Sequence, residues 1–254
     1  MLRLRQICLV AEGLTPAVDD LTDVLGLATC FHDPAVGAYG LENALLPVGS
    51  NFLEVVAPIQ ENTAGGRYLD RRGGDGGYMV ILQCDNVEAR RTRMGALEVR
   101  IANPLNYNDF TGLQLHPRDT GGCMLETDEM DGDQSADGPW HPAGNAWKDA
   151  VRTERTTAMV GAELQSPDPA ALAARWAHIL DKQVSTGENG NPEVILDNAS
   201  LRFVEVTDGR GEGLGGVDLK VADRAAILAA ASARGMPVDG NTVTVCGTRF
   251  RLGD

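Results

Sequence analysis

The sequence predicts an α+β protein built from four βαβββ modules, arranged as two paired-module domains. Two observations carry this prediction. First, the order strand, helix and short strands recurs four times along the chain. Second, the spacing from a module's first strand to its helix stop is the same 20 positions in the first and third modules. The compared pairs are Gln6 with Gly26 and Gly161 with Asp181, and such a shared spacing indicates duplication.

The first module begins with a predicted strand at residues 4–11. Thr15 and Pro16 then supply an N-cap and a first-turn proline for a helix that Gly26 ends. Three short strands are predicted to follow, at residues 28–33, 40–49 and 51–58. In the last of these, Phe52 and Glu54 alternate with apolar neighbours and so share one face.

The second module is predicted to follow a Gly-rich hinge at residues 65–77. A strand at 78–85, a helix from Val87 to Met94 and a strand at 97–102 come next. A turn is predicted around Asn103 and Pro104, and strands at 111–117 and 121–128 complete the module.

An acidic, Gly- and Pro-rich segment at residues 128–150 separates the two halves. Its Trp140 and Trp147 are predicted to attach it to a protein surface. We therefore predict an N-terminal domain at 1–130, a linker at 131–154 and a C-terminal domain at 155–254, with a capped helix at Pro169 in the third module.

Composition restricts the classes of partner. The chain carries 22 basic and 36 acidic residues, a net charge of -14, which disfavours nucleic acids and anionic membranes. No apolar segment is long enough to span a membrane. The five cysteines are scattered and never spaced as CxxC, which predicts free thiols. These features predict a cytoplasmic protein that does not bind nucleic acid or membranes.

One segment, HPRDTGGCMLE from His116 to Glu126, resembles the end of the methylmalonyl-CoA epimerase fold. Together with the order of elements it is similar to the vicinal oxygen chelate superfamily, which includes glyoxalase I, bleomycin-resistance proteins and extradiol dioxygenases. The resemblance implies two domains with curved half-barrel sheets and is compatible with a homodimer. It also implies that Glu126 is a divalent-metal ligand.

Two further positions match the metal site of this superfamily: Gln6 in the first strand and Glu54 in the fourth. The next expected ligand position holds Met79, where the superfamily has histidine. A thioether is a poor ligand for hard divalent metals, and His116 is the nearby imidazole that could replace it. The cofactor therefore stays open between a metal held by Gln6, Glu54 and Glu126 and a metal-free site.

The matching positions of the second half are Gly161 and Gly216, which have no side chain. No metal site on the superfamily's plan can form there. We therefore expect the second domain to be structural or to act as a lid.

If Glu54 and Glu126 converge in a half-barrel, one of them can act as a base next to a substrate carbonyl. Each could equally lie on a solvated strand face or pair with an arginine. Arg71 and Arg72 in the glycine-rich hinge could bind a carboxylate or phosphate. We therefore predict a glyoxalase-like lyase or isomerase that binds a carbonyl-bearing or anionic metabolite. The alternative is a metal-free binding protein of the bleomycin-resistance type; a dioxygenase is disfavoured because its two histidine ligands are missing.

Overall fold

The computed structural model describes residues 1–254 apart from the side chain of residue 188. The described residues form an α+β fold of 15 strands and five α-helices, arranged in two mixed sheets. None of the described helices is long and apolar enough to cross a membrane.

The first sheet has seven strands in the order β2-β3-β1-β4-β7-β6-β5. In both of its modules the first strand pairs in parallel with the last, β1 with β3 and β4 with β7, while the hairpins are antiparallel. The elements are β1 (Leu2–Val10), α1 (Leu14–Leu25), β2 (Leu41–Val48), β3 (Asn51–Pro58), α2 (Ala64–Arg72), β4 (Gly76–Cys84), α3 (Val87–Ala96), β5 (Ile101–Asn106), β6 (Phe110–Leu115) and β7 (Met124–Met130).

The second sheet has eight strands in the order β13-β14-β15-β12-β8-β11-β10-β9. It repeats the same plan, with β8 parallel to β11 and β12 parallel to β15. The elements are β8 (Thr156–Ser166), α4 (Pro169–Leu180), β9 (Val184–Thr186), β10 (Pro192–Ile195), β11 (Ser200–Glu205), β12 (Gly213–Val221), α5 (Arg224–Ala233), β13 (Val238–Asp239), β14 (Thr242–Val245) and β15 (Thr248–Gly253). The predicted class of two curved, open sheets built from repeated modules is confirmed.

The ends of the repeated helices follow the predicted chemistry with one exception. Helix α1 stops at Gly26 in the left-handed conformation, and α4 stops at Asp181 with φ 57. Pro169 begins α4, whose cap is the Asp168 side chain. The exception is the start of α1, where Gly13 rather than Thr15 is the cap, because the helix begins two residues earlier, at Leu14.

The predicted strand at residues 28–33 is wrong. Only Phe31 makes a bridge, to Leu45, and the chain then enters a 3-10 helix at Pro34–Tyr39. Asp33 caps this helix by accepting a hydrogen bond from the Ala35 amide at 2.9 Å. A capped proline start favours the turn over a strand at this point.

The Gly-rich hinge predicted at residues 65–77 is largely the helix α2. The Thr63 side chain caps it by accepting from the Gly66 amide at 2.9 Å, and Tyr68 and Leu69 are buried on its inner side. Burial of these two side chains outweighs the low helix propensity of the adjacent glycines.

The turn predicted around Asn103 and Pro104 is also wrong, because β5 runs through both residues. Pro104 lies opposite Leu113 on β6. Since β5 is the edge strand of its sheet, no strand lies on its outer side that would need a hydrogen bond from the N–H that proline lacks.

The chain divides into two compact units, each made of one module from each half. One unit contains residues 1–5, 79–141 and 161–215. Within it, two arginines of α3 donate to carbonyls in the last turn of α4: Arg90 to that of Leu180 and Arg93 to that of His178. The other contains residues 6–78, 142–160 and 216–254, and in it Arg234 pairs with Asp20. The division into domains at 1–130 and 155–254 stays a prediction.

Candidate functional site

The Glu54 carboxyl is held in a buried network of hydrogen bonds. Its Oε2 accepts from Gln6 Nε2 at 2.8 Å, and its Oε1 accepts from Asn43 Nδ2 at 2.6 Å. The Cys8 side chain also donates to it. Burial raises the pKa of Glu54, and these three donors partly oppose that rise because they favour the ionised form. Glu54 is therefore an oriented carboxyl that can take up a proton more readily than an exposed one.

The register of three strands builds this network. In the parallel pair of β1 and β3, Gln6 lies opposite Phe52 and Cys8 lies opposite Glu54. Side chains two residues apart share a face, so all four residues lie on one face, which we call the Glu54 face. Asn43 reaches the same carboxyl from β2, where it lies opposite Val56. It was not among the predicted site residues, because a lone asparagine gives no pattern until the pairing of β2 is known.

Glu126 lies on β7 next to a second buried carboxyl that the sequence analysis also missed. Glu126 is 3% exposed and Asp128, two residues further along the same face, is 0% exposed. Their partners on β4 are Ile81 and Gln83. Burial raises the pKa of Asp128 well above its ordinary value, and the nearby Glu126 carboxyl raises it further. The alternation of Glu126 and Asp128 in the strand was the available signal for this pair.

The side chains at the positions that the resemblance assigns to a metal do not suit a hard divalent ion. Both oxygens of Glu54 already accept from amide groups, and Met79, buried on β4, offers a thioether. Throughout the described residues, no group of three or more His, Cys, Asp or Glu side chains is placed to hold a metal ion. We therefore derive no chemistry through a metal at Gln6, Glu54 and Met79.

His116 forms hydrogen bonds within the turn that follows β6. Its Nδ1 accepts from the Arg118 amide at 3.2 Å, and its carbonyl accepts from the Asp119 amide at 2.8 Å. Helix α4 holds the same turn, because Trp176 Nε1 donates to the Thr120 carbonyl at 3.0 Å. The HPRDTGG segment therefore orders the chain that leads into β7, and the Nδ1 atom of His116 takes part in a local hydrogen bond.

Arg71 and Arg72 do not act as a pair. Arg71 is exposed, with its guanidinium 5.6 Å from the centre of the Tyr68 ring, whereas Arg72 is buried. A groove of about 610 Å³ beside α2 is lined by neither of them; its charged lining residues are Glu12, Glu61, Arg67 and Asp70. Three carboxylates against one guanidinium disfavour an anion there.

Replacing Asp119 with asparagine is expected to lower the free energy of unfolding by about 1 kcal/mol at neutral pH. Arg100 donates two hydrogen bonds to the carboxylate and lowers the pKa of Asp119 to about 2. The expected loss of stability is small because Arg100 is half exposed, so water screens its attraction to Asp119. Because the folded pKa lies below the unfolded value of about 3.9, the stabilisation is present above that value and is lost as the pH falls through about 2.

Urea unfolding at pH 7 and pH 2 measures this effect, with the exposed Asp239→Asn as control. An equal loss at both pH values would contradict the prediction, because it would show that the loss does not depend on the charge of Asp119.

The predicted attachment of the segment between the two halves by its tryptophans is confirmed. Trp147 is 4% exposed and meets the Phe52 ring edge-on at 5.1 Å between centroids. Trp140 is 1% exposed and meets Phe110 in the same way at 6.0 Å. Since Phe52 shares the Glu54 face, Trp147 covers part of that face.

In the second sheet, carboxylates on the central strands form ion pairs with arginines. Gly161 and Gly216 lie on the central strands β8 and β12, where the sequence analysis placed them. Two residues further along each strand, Glu163 pairs with Arg202 and Asp218 pairs with Arg251. These carboxylates are neutralised by arginine, unlike Glu54, whose bond donors are two amides and a thiol.

Comparison with known proteins supports the fold. No family model matches the sequence, and no curated protein matches it. A hypothetical protein from Staphylococcus aureus superposes with a TM-score of 0.68 at 13% identity, covering 100% of this chain and 99% of that one. A variant of 4-hydroxymandelate synthase from Streptomyces coelicolor gives 0.66 at 16%, covering 93% and 76%. Methylmalonyl-CoA epimerase from Mycobacterium tuberculosis gives a TM-score of 0.45 at 22% identity, covering 51% of this chain and 89% of that one.

The class is therefore defined at the level of fold. The chain has the vicinal oxygen chelate fold, with both halves of the chain included in the similarity. Identities below 25% leave activity and ligand to be argued from the chain's own residues.

Proposed function

We propose that this protein is a cytoplasmic, glyoxalase-like isomerase or lyase that moves a proton on a small carbonyl-bearing metabolite, with Glu54 as the base. The observation that carries the proposal is the Glu54 network, in which Gln6 and Asn43 orient a buried carboxyl. The five free thiols accord with a reducing compartment.

The chemistry follows from the state of that carboxyl. Ionised Glu54 takes a proton from the carbon next to the carbonyl, and the electron pair of the broken C–H bond moves onto the carbonyl oxygen as an enolate. The proton returns to carbon to give an isomer, or a leaving group departs to give a lyase product. A raised pKa suits both directions, because the base must also release the proton near neutral pH.

Proton exchange with solvent tests the proposal directly. The protein is incubated in D₂O with a panel of three- to five-carbon 2-oxo acids and 2-oxo aldehydes, and loss of the signal of the protons on the carbon next to the carbonyl is followed by NMR. We expect at least a 100-fold loss of exchange in Glu54→Gln, which keeps the shape of the side chain and replaces one of its two acceptor oxygens with an NH₂ group. Glu163→Gln, a strand glutamate paired with Arg202, is the control.

The pH profile provides a second measurement. Because only ionised Glu54 can accept a proton and its pKa is raised, the exchange rate is expected to rise with pH above the ordinary carboxyl range. Exchange that is equal in wild type and Glu54→Gln, or absent across the panel, would contradict the proposal.

The second candidate is a binding protein that holds the same metabolite unchanged. The burial of Glu54 favours it, since both carboxyl oxygens already have donors. Saturable binding without exchange, detected by ligand NMR on the same panel, would identify this function.

A further inference from the structure

The chain between Phe31 and Gly40 lies beside the Glu54 carboxyl, and we call residues 32–39 the 32–39 segment. None of the side chains of its 3-10 helix, Pro34–Tyr39, is buried, and Tyr39 is 46% exposed. A part of a protein with few buried apolar contacts can open at a much smaller free-energy cost than global unfolding. We therefore expect this segment to open separately from the rest of the fold.

The 32–39 segment is attached at each end. Before it, Phe31 forms an antiparallel bridge with Leu45 on β2; after it, the Gly40 carbonyl accepts from the Ile59 amide at 2.9 Å. Gly40 has φ 70, a left-handed conformation that glycine adopts without strain. The backbone can turn at these two ends while the residues between them move.

Asn43 connects the 32–39 segment to Glu54. The Asp33 amide donates to Asn43 Oδ1 at 2.8 Å, and His32 Nδ1 donates to the Asn43 carbonyl at 2.6 Å. The nitrogen of the same side-chain amide, Nδ2, donates to Glu54 Oε1 at 2.6 Å. One planar amide group thus separates the segment from the carboxyl. Because the Asp33 N–H needs an acceptor, it fixes the Asn43 amide with its NH₂ group toward Glu54.

A substrate has little access to Glu54 in this arrangement. The residue is 7% exposed and both carboxyl oxygens accept hydrogen bonds, so a neighbour must move before a reacting carbon can contact it. Gln6 and Cys8 lie on β1 in the interior of the sheet, and Trp147 is buried. Moving these residues would expose buried surface, whereas the helix of the 32–39 segment buries no side chain.

We infer that the 32–39 segment is a lid over the Glu54 site and that its bonds to Asn43 hold it closed. In the closed state the Asp33 amide orients the Asn43 amide, which in turn holds Glu54. In the open state Asn43 is released and a small molecule can reach the Glu54 face. The inference rests on the proposed function only for what the lid admits, because the opening itself needs no substrate.

Alkylation of Cys8 by iodoacetamide measures the opening directly. Cys8 is 0% exposed and shares the Glu54 face, and mass spectrometry of the labelled protein locates the modified thiol. Cys84, which is also 0% exposed, reports global unfolding. In the wild type we expect Cys8 to react at least about 10-fold faster than Cys84, at a rate that hardly changes with urea below the unfolding transition.

Asp33→Pro tests the bond that holds the lid. Proline lacks the N–H, and the native φ of -83 at Asp33 is close to the value that proline requires. Asp33→Ala is the matched control, because it also loses the side-chain cap of the 3-10 helix but keeps the N–H. We expect Cys8 to react about 5-fold faster in the proline variant than in the alanine variant, as the loss of one hydrogen bond predicts.

Two outcomes would overturn the inference. In the wild type, Cys8 that reacts only together with Cys84 would mean that the site opens by global unfolding, and this measurement decides the question even where Asp33→Pro does not fold. Equal Cys8 rates in the two folded Asp33 variants would mean that the bond to Asn43 does not hold the segment. Since labelling needs no catalysis, a protein that opens at Cys8 but exchanges no substrate proton would contradict the proposed function and keep the lid.

Discussion

Truncating Trp176 to alanine is expected to lower the free energy of unfolding by about 4 kcal/mol. This side chain is fully buried on α4, where it packs edge-on against Phe203 with ring centroids 6.0 Å apart. Its Nε1 also donates to the Thr120 carbonyl in the turn before β7. The variant would therefore lose a large apolar contact and leave a buried carbonyl without its donor. Urea unfolding followed by circular dichroism measures the change.

Trp176→Phe separates the two contributions. It keeps most of the ring contact with Phe203 and removes only the donor, so we expect a loss of about 1–2 kcal/mol. Equal losses for the two substitutions would mean that the bond to Thr120, and not ring packing, holds the turn on α4.

Replacing Trp147 with alanine is expected to cost about 3 kcal/mol of unfolding free energy. Trp147 covers Phe52, which shares a strand face with Glu54, so the substitution removes an edge-on ring contact and exposes that face to water. Its effect should therefore extend beyond stability. Water that reaches Glu54 would weaken the burial that raises its pKa, and the pH profile of proton exchange should shift to lower pH.

Lys148→Ala is the matched control for this position. The Lys148 ammonium lies 5.5 Å from the centre of the Trp147 ring on the exposed side, and its removal should cost at most about 1 kcal/mol. A Trp147→Ala variant that loses stability while its pH profile stays unchanged would show that the tryptophan fastens the segment between the two halves without shielding Glu54.

Several elements followed directly from local sequence. Gly26 ends α1 because glycine adopts the left-handed conformation without strain, and Asp168 with Pro169 begins α4 through a side-chain cap and a fixed φ. The alternation in residues 51–58 placed Glu54 on a definite face of β3. These predictions succeeded because each depends on contacts within a few residues.

Two of the failed sequence predictions are explained by contacts between residues distant in the chain. Residues 65–77 looked like a flexible hinge because of their glycines, but burial of Tyr68 and Leu69 stabilises a helix there. Pro104 looked like a turn residue until the strand order placed β5 at a sheet edge. Local propensity is a small energy compared with the burial of large side chains, so tertiary packing decides such cases.

The candidate sites show the same limit. By itself the sequence determined the repeated modules, the class of fold and the strand positions of Gln6, Glu54, Met79 and Glu126, because these follow from periodicity and from one resembling segment. Only the tertiary structure decided that Asn43 completes the Glu54 network and that Gln83 faces Asp128. These pairs come from different strands, and the register that joins them is set by the packing of the whole sheet.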